Sequence, residues 1–398
     1  MSSGDHPDRL ASVSAFRISS LVLLAAASLP VHGQQLVYEE FGFDKGLGNS
    51  AINCLLTDRR GFLWAGTMSG LYRGDGERFR RFGEAQGLPD STIQSLLEDA
   101  SGRLWVATRT GIAWLEGGRF HPAAMEPPAE IYGRRALAVS TQGRLLAATA
   151  RGLYEGSQEG GRWKFTLRAL PAPLDATAVD AVFSAPDGAL WLSARKALWR
   201  LSGGRVEPWG PSRGVPATRW DDFLLDADGT LWVRGADALI ALRPGADAFD
   251  NRTGPLPSSG FFGSLARDNE GRLLVPTDNG LFVLEKTGWK RYGVQQGLPG
   301  QSVSAALHDH ENSLWAGLWG LGLFRIAGYG WTETWTVQEG LGSSTVSAVL
   351  EDREGRIWAG TDNGISILTP GGKRWRPGPG LSSLCGSKVR ALALAPDG

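Results

Sequence analysis

Apolar positions along this chain recur in short alternating runs, not at helical spacing. Residues 93–98 read Ile-Gln-Ser-Leu-Leu-Glu, residues 103–108 Arg-Leu-Trp-Val-Ala-Thr and residues 112–115 Ile-Ala-Trp-Leu. Alternation with period two predicts strands whose successive side chains face opposite sides of a sheet. Between the runs lie Asp99-Ala100-Ser101-Gly102, Arg109-Thr110-Gly111 and Glu116-Gly117-Gly118. Gly supplies the positive φ that closes such turns, and an Asp carboxylate can accept backbone N–H groups within them. The segment therefore predicts four consecutive antiparallel strands: A at Ile93–Glu98, B at Arg103–Thr108, C at Ile112–Leu115 and D from Arg119 onward. Leu104 and Trp105 fall on opposite faces of strand B, and both are expected in packed cores.

The unit repeats. The Trp that ends the Gly-x-Leu-Trp step, or a close variant of it, falls at Trp64, Trp105, Trp191, Trp232, Trp315 and Trp358, with Leu146 and Leu274 in the same slot. Successive spacings are 41, 41, 45, 41, 42, 41 and 43 residues. Such a period with four short strands per unit predicts an all-β chain, a β-propeller of four-stranded antiparallel blades. One such sheet buries little alone; set around an axis, each covers its neighbour's face. The links recur as well: "KGLGNSAI" from Lys45, "QGLPDSTI" from Gln86, "QGLPGQSV" from Gln296 and "EGLGSSTV" from Glu339. They are expected to join strand D of one blade to strand A of the next. No blade precedes the first link, so "QLVYEEFGF" from Gln35 is expected to act as a loose outer strand that completes the last blade.

Composition sharpens this picture in three ways. The 55 Gly and 16 Trp suit many tight turns and many similar slots to fill. The 41 Lys+Arg balance 41 Asp+Glu, leaving no electrostatic footprint for nucleic acid or an anionic membrane. Residues 1–33 differ from the rest: Arg9 and Arg17 precede an apolar run, Ile18 to Leu29, followed by Pro30-Val31-His32-Gly33. That is the layout of a secretory signal peptide, and the run is shorter than the roughly 20 residues that span a bilayer. Export is therefore expected. The two cysteines, Cys54 and Cys385, lie in separate repeats and are expected as small buried residues, not a disulfide framework.

Catalytic and metal chemistry find little support. The cluster His308-Asp309-His310-Glu311 invites a metal reading. In register with "EDASGRLW", however, Asp309 takes the structural turn position and Asn312 replaces the turn Gly, as Asn can in left-handed geometry. Neighbouring strand residues also point to opposite faces, so His308 and Asp309 would not converge on one ion. No catalytic residues, metal or cofactor are expected.

Binding is easier to place. In a propeller the B–C turns and D–A links emerge together on one face around the central channel. The B–C turns place Arg109, Arg151, Arg195 and Lys196 on blades two to four, and Asp237 and Asp278 on blades five and six. The mouth is expected to be electrically divided. Trp319 stands in a seventh turn, and Trp220, beside Asp221, opens a strand A; both are candidates to stack on a sugar ring or other flat face.

"DRRGFLWAGTMSGLYR", "DASGRLWVATRTGI" and "DREGRIWAGTDNGISIL" resemble two-component regulator propeller repeats. The resemblance runs over about residues 36–398; repeats three to six depart from it, with Leu146 and Leu274 for Trp and Ser193-Ala194 for Gly-Thr. It implies the extracytoplasmic sensor region of a bacterial sensor kinase or related receptor, on the periplasmic side of the inner membrane. The family often builds two seven-bladed rings, followed by a sandwich domain, a membrane helix and an output module such as a histidine kinase. By that analogy residues 34–330 form a first seven-bladed propeller and 331–398 begin a second, cut mid-repeat at "LALAPDG"; one eight-bladed ring is the alternative. The expected partners are a small-molecule or saccharide ligand and C-terminal signalling domains. Membrane contact would come only through that missing part, with room for a homodimer. A protein-interaction scaffold is the main rival, and a propeller lyase or hydrolase the lesser one.

Overall fold

The computed structural model describes residues 38–174, 177–258, 260, 263–329, 335, 337–372, 374–378 and 387–395. The signal-peptide reading of 1–33, Cys385, the boundary at Trp331 and the terminal Asp397-Gly398 all lie outside these residues. Within them the chain is a β-propeller. In the second repeat the strands are Ile93–Glu98, Leu104–Thr108, Ile112–Glu116 and Arg119–Glu126, within a residue or two of expectation. The other inner strands are Ile52–Thr57, Leu137–Val139, Ala181–Ser184, Trp220–Leu225, Ala266–Arg267 and Val303–His308. Inner strands of successive blades touch from the first to the fifth and from the sixth to the seventh, and Ile52–Thr57 of the first touches Val303–His308 of the seventh. Glu39–Phe41 pairs antiparallel with Gly322–Ile326 and so supplies the fourth strand of that seventh sheet, as its position before the first link predicts. The eighth repeat folds as a further four-stranded sheet, from Val346–Glu351 to Arg376–Pro377, and packs a small cluster of its own around Leu341, Ala359 and Trp375.

One departure from independent four-stranded blades appears. The outer strands Arg119–Glu126 and Arg162–Leu167 run parallel and pair directly, with Lys164 opposite Ala124 and Thr166 opposite Glu126. Blades two and three thus share one eight-stranded sheet, pinned further by Lys164 Nζ to Glu126 Oε2 at 2.6 Å.

The repeated Asp and Trp act on each other. Trp105 Nε1 donates to Asp99 Oδ2 at 2.8 Å, while Asp99 Oδ1 accepts the N–H groups of Ser101 and Arg103 across the turn. The same bond joins Trp64 to Asp58 at 2.8 Å, Trp315 to Asp309 at 2.7 Å and Trp358 to Asp352 at 2.6 Å. One carboxylate therefore closes the A–B turn and orients the indole, whose body is inserted toward the next blade. Trp105 packs with Leu137, Leu145 and Tyr154 of blade three, whereas Leu104 packs with Trp64 and Leu71 of blade one. Trp315 packs with Ile52, Leu63 and Ala65 of blade one. Where Leu274 replaces Trp, Arg272 takes over as donor, Nε to Asp268 Oδ2 at 2.6 Å.

The links are single turns of 3₁₀-helix, such as Glu84–Gln86, ended by a left-handed Gly. At Gly87, with φ +97, an added Cβ would lie 1.9 Å from the carbonyl oxygen of Phe120, so nothing larger fits.

The Asp–Trp bond makes two predictions. Trp105→Phe keeps the ring but removes the donor, and is expected to cost about 1–2 kcal/mol. Trp105→Ala is expected to cost about 3–5 kcal/mol, since the interblade core is also emptied. Denaturant unfolding of both variants checks the order; a loss near zero in Trp105→Phe would mean the hydrogen bond contributes nothing, and equal losses would mean the ring's packing contributes nothing. Burial pulls the Asp99 carboxyl upward, but hydrogen bonds from Ser101 and Trp105 outweigh it and hold it below the usual range. At Asp352 hydrogen bonds from Trp358 and Arg356 likewise overcome desolvation and bring the group to about 2. A depressed carboxylate stabilises fully above its unfolded pKa of about 4. That contribution is lost as pH falls toward the folded value, so Asp352→Asn should flatten the acid limb of unfolding below about pH 4.

Candidate functional site

At the start of the inner strands the A–B pairing slips by one residue, leaving Asn53, Gln94, Asp221 and Ser304 as bulges in blades one, two, five and seven. Bulges re-aim side chains, and around them gathers a set of charged groups. Asp222, 1% exposed, accepts from Arg135 Nε of blade three at 2.6 Å, from its neighbour Phe223 N at 2.8 Å and from Leu265 N of blade six at 2.5 Å. One buried carboxylate thus ties three blades. Burial lowers the pKa of Arg134, opposed by the nearby Cys54 of blade one and Asp221 of blade five. Burial likewise pushes the Cys54 thiol up to about 12, which makes it the inert buried residue expected. Asp221 is pushed up to about 6 by burial, against the charge and hydrogen bond of Arg219, whose Nε lies 2.8 Å from Oδ1. Asp180 of blade four is also raised by burial, with Arg219 opposing.

The turn residues sit where the propeller geometry puts them. Arg109, Arg151, Arg195, Lys196, Asp237, Asp278 and Trp319 all follow a strand B, and the four cations and Asp237 are exposed. Neighbouring turns and links are stitched together. Ile131 N donates to Arg109 O at 2.9 Å and Ala150 N to Glu130 O at 2.8 Å, and Arg195 Nε reaches Thr177 Oγ1 at 3.1 Å. On the acidic side Asp278 Oδ2 accepts from Gly260 N at 2.7 Å. The buried Arg234, 3% exposed, places its charge beside Asp221, Asp237 and Asp278. Trp319 is half-buried, its backbone N–H donating to Ser302 O at 2.9 Å.

Trp220 is a correction. It is 0% exposed and belongs to the core between blades four and five, with Trp191, Trp209 and Phe223. The bulge decides this: Trp220 pairs with Gly235 in the position Ile52 and Ile93 hold elsewhere, and Asp221 is the displaced residue. Asp309 plays the turn role expected of it, accepting from Glu311 N, Ser313 N and Trp315 Nε1, with Asn312 at φ +58. His308 Nδ1 accepts from Asn269 N at 2.8 Å, and among the described residues no group of metal-ligating side chains gathers. The sequence reading missed Glu130 and Tyr132, in the long link before blade three. Tyr132 donates its hydroxyl proton to Glu130, Arg109 pairs with Glu130 at 3.7 Å, and the Arg109 guanidinium lies 5.7 Å from the Tyr132 ring centre. It also missed Arg134, Arg135, Asp180, Arg219, Asp222 and Arg234; only the doubled Asp of "TRWDDF" hinted at them.

Fold and site together define a propeller whose B–C turns carry charged residues. Residues 46–69, 87–110 and 340–363 match the two component regulator propeller family, and the chain carries these repeats. Among solved structures it is similar to the extracellular domain of BT3049 from B. thetaiotaomicron, assigned to a hybrid two component system. The identity is 22% and the TM-score 0.65, covering 85% of this chain and 48% of that one. It is also similar to the extracellular domain of BT4673 from B. thetaiotaomicron, assigned to a one component system. Here the identity is 20% and the TM-score 0.59, with coverage of 88% and 48%. The chain thus spans about half the length of these two. Virginiamycin B lyase from Staphylococcus aureus shares the fold at 13% identity and a TM-score of 0.56, with coverage of 70% and 95%. No curated protein matches the chain in sequence.

Two predictions follow from the buried charges. Arg135→Ala strands the Asp222 carboxylate in the interior and is expected to cost about 3–5 kcal/mol in denaturant unfolding. A loss below about 1 kcal/mol, the size of a surface pair, would refute the three-blade tie. For Asp221 the sign runs the other way from Asp352. Its folded pKa of about 6 exceeds the unfolded value, so the folded state holds the extra proton and stability falls as pH rises from about 4 to about 6. Asp221→Asn should remove that slope, which melting temperatures across the window would show.

Proposed function

We propose that this chain is the sensory propeller of a two-component-type signalling receptor, positioned outside the cytoplasm. In this reading it binds a small molecule or saccharide on the face that carries the B–C turns and passes occupancy to C-terminal output domains. The ring of seven blades, residues 34–330, forms the first propeller, and the eighth repeat begins a second. The match of three segments to the two component regulator propeller family carries the reading. The likeness to two extracellular domains of B. thetaiotaomicron signalling proteins supports it, as does the export-type leader in the sequence. No helix among the described residues is long and apolar enough to cross a membrane, so any anchor belongs to other segments. The region is not an enzyme in this account, although an output module such as a histidine kinase would be one.

A protein-interaction scaffold is the second reading, favoured by exposed apolar side chains at Met68 and Leu321 in the B–C turns and Phe43 in a link, the last 87% exposed. The two readings separate in one experiment. Small-molecule and saccharide libraries are screened by thermal shift on the full chain, and hits are mapped by hydrogen exchange. The sensory reading expects a hit that protects turns 109–111, 150–151, 195–196 and 278–279. Protection confined to the outer strands, or no hit where a protein partner protects Phe43, Met68 and Leu321, would overturn it.

A further inference from the structure

We infer that Arg109, Arg151, Arg195 and Lys196 form one arc that binds a small polyanion, a soluble molecule bearing two or more carboxylate, sulfate or phosphate groups. The inference rests on the turn face being the ligand face and adds the chemistry of the ligand.

The backbone makes the arc continuous. The Arg109 turn is bonded through Ile131 to the link that holds Glu130, and Glu130 O accepts the N–H of Ala150, the residue before Arg151. A Cβ added to Gly152 would lie 3.6 Å from Thr177 O, and Thr177 in turn receives Arg195 Nε at 3.1 Å. Three blades therefore present their cations side by side. Glu130 offsets Arg109, but among the described residues Arg151, Arg195 and Lys196 form no ion pair. Exposed cations elsewhere on this protein are found both paired, as Arg144 with Glu155, and without an ion pair among the described residues, as Arg119 and Arg205, so what marks this set is the adjacency of its turns.

The acidic side of the mouth does not answer this positive charge. Asp237 and Asp278 face the buried Arg234, and Asp278 also caps Gly260 N. The divided mouth is thus lopsided: its acids are compensated from within, while of its cations only Arg109 has a carboxylate partner among the described residues. A cleft lined by one sign of charge concentrates the opposite ion.

The turn chemistry supports the same conclusion. Arg195 and Lys196 hold φ of +52 and +58, and with Asn312 they are the non-glycine residues at positive φ among those described. Such a two-residue turn between strands favours Asn-Gly. Long cationic side chains there carry backbone strain, which is expected where a site needs the charge.

Titration calorimetry of the full chain at low ionic strength tests this with citrate, tripolyphosphate and sucrose octasulfate, and with sucrose as the neutral control. At least one anion should bind saturably and weaken with added salt, and sucrose should not bind. The triple variant Arg151→Gln/Arg195→Gln/Lys196→Gln should weaken binding by about tenfold or more. Arg119→Gln/Arg205→Gln/Lys286→Gln, which removes the same charge from exposed positions in and beside outer strands, should leave it unchanged. Equal weakening in both variants, unchanged binding in the first, or no binding by any of the three anions overturns the inference. Arg195→Asn/Lys196→Gly should melt later yet bind the anion more weakly; later melting with unchanged binding removes these two residues from the site. A neutral library hit that still protects the turns in the first triple variant would refute the polyanion while leaving the sensory reading standing.

Discussion

The hydrogen bond from a buried indole to a turn aspartate is the constraint on which the rest of this protein depends. A single such bond is worth little net. Its effect comes from what it joins: Asp99 fixes the local chain reversal, and Trp105 fills the gap to blade three. Local turn geometry and interblade packing are therefore set by one pair six residues apart. In the ring the pair stands in blades one, two, five and seven and gives them the same wedge, while blades three and four keep the apolar Leu146 and Trp191 with Ser140 and Ala185 in the turn. Blade six shows which part is essential, because Leu274 still fills the gap while Arg272 supplies the lost donor to Asp268.

The framework was legible in the sequence because its signals are local. Alternation, turn glycines and a constant period located the strands of the second repeat, the left-handed Asn312 and the role of Glu39–Phe41 in the last blade. The parallel pairing of Arg119–Glu126 with Arg162–Leu167 left no such trace, since register between distant outer strands is not written in either segment. Trp220 was misplaced for a related reason. Alternation assigns faces only while the ladder is regular, and a bulge at Asp221 exchanges which residue turns toward the axis. The turn cations could be read because a turn exposes whatever it holds. Arg134 and Arg135 could not, because they stand in the repeat that departs most from the pattern, where nothing marks them as buried.

Two electrostatic regimes meet at the mouth. Inside, charges are desolvated and must find partners, so Asp222 collects donors from three blades and Arg234 faces three carboxylates. Such pairing contributes more to a unique arrangement than to raw stability. Outside, the turns carry charges that solvent tolerates singly, and their values can change without disturbing the core. The buried inner layer thus holds the outer turns at fixed spacing.

The pairing of Glu39–Phe41 with Gly322–Ile326 also sets an order of events in biogenesis. The earliest of these strands to be synthesised must wait, unpaired, until nearly three hundred later residues have emerged, and only then does the circle lock. Early blades can form as local hairpins, but the final step joins distant parts of the chain and is correspondingly slow.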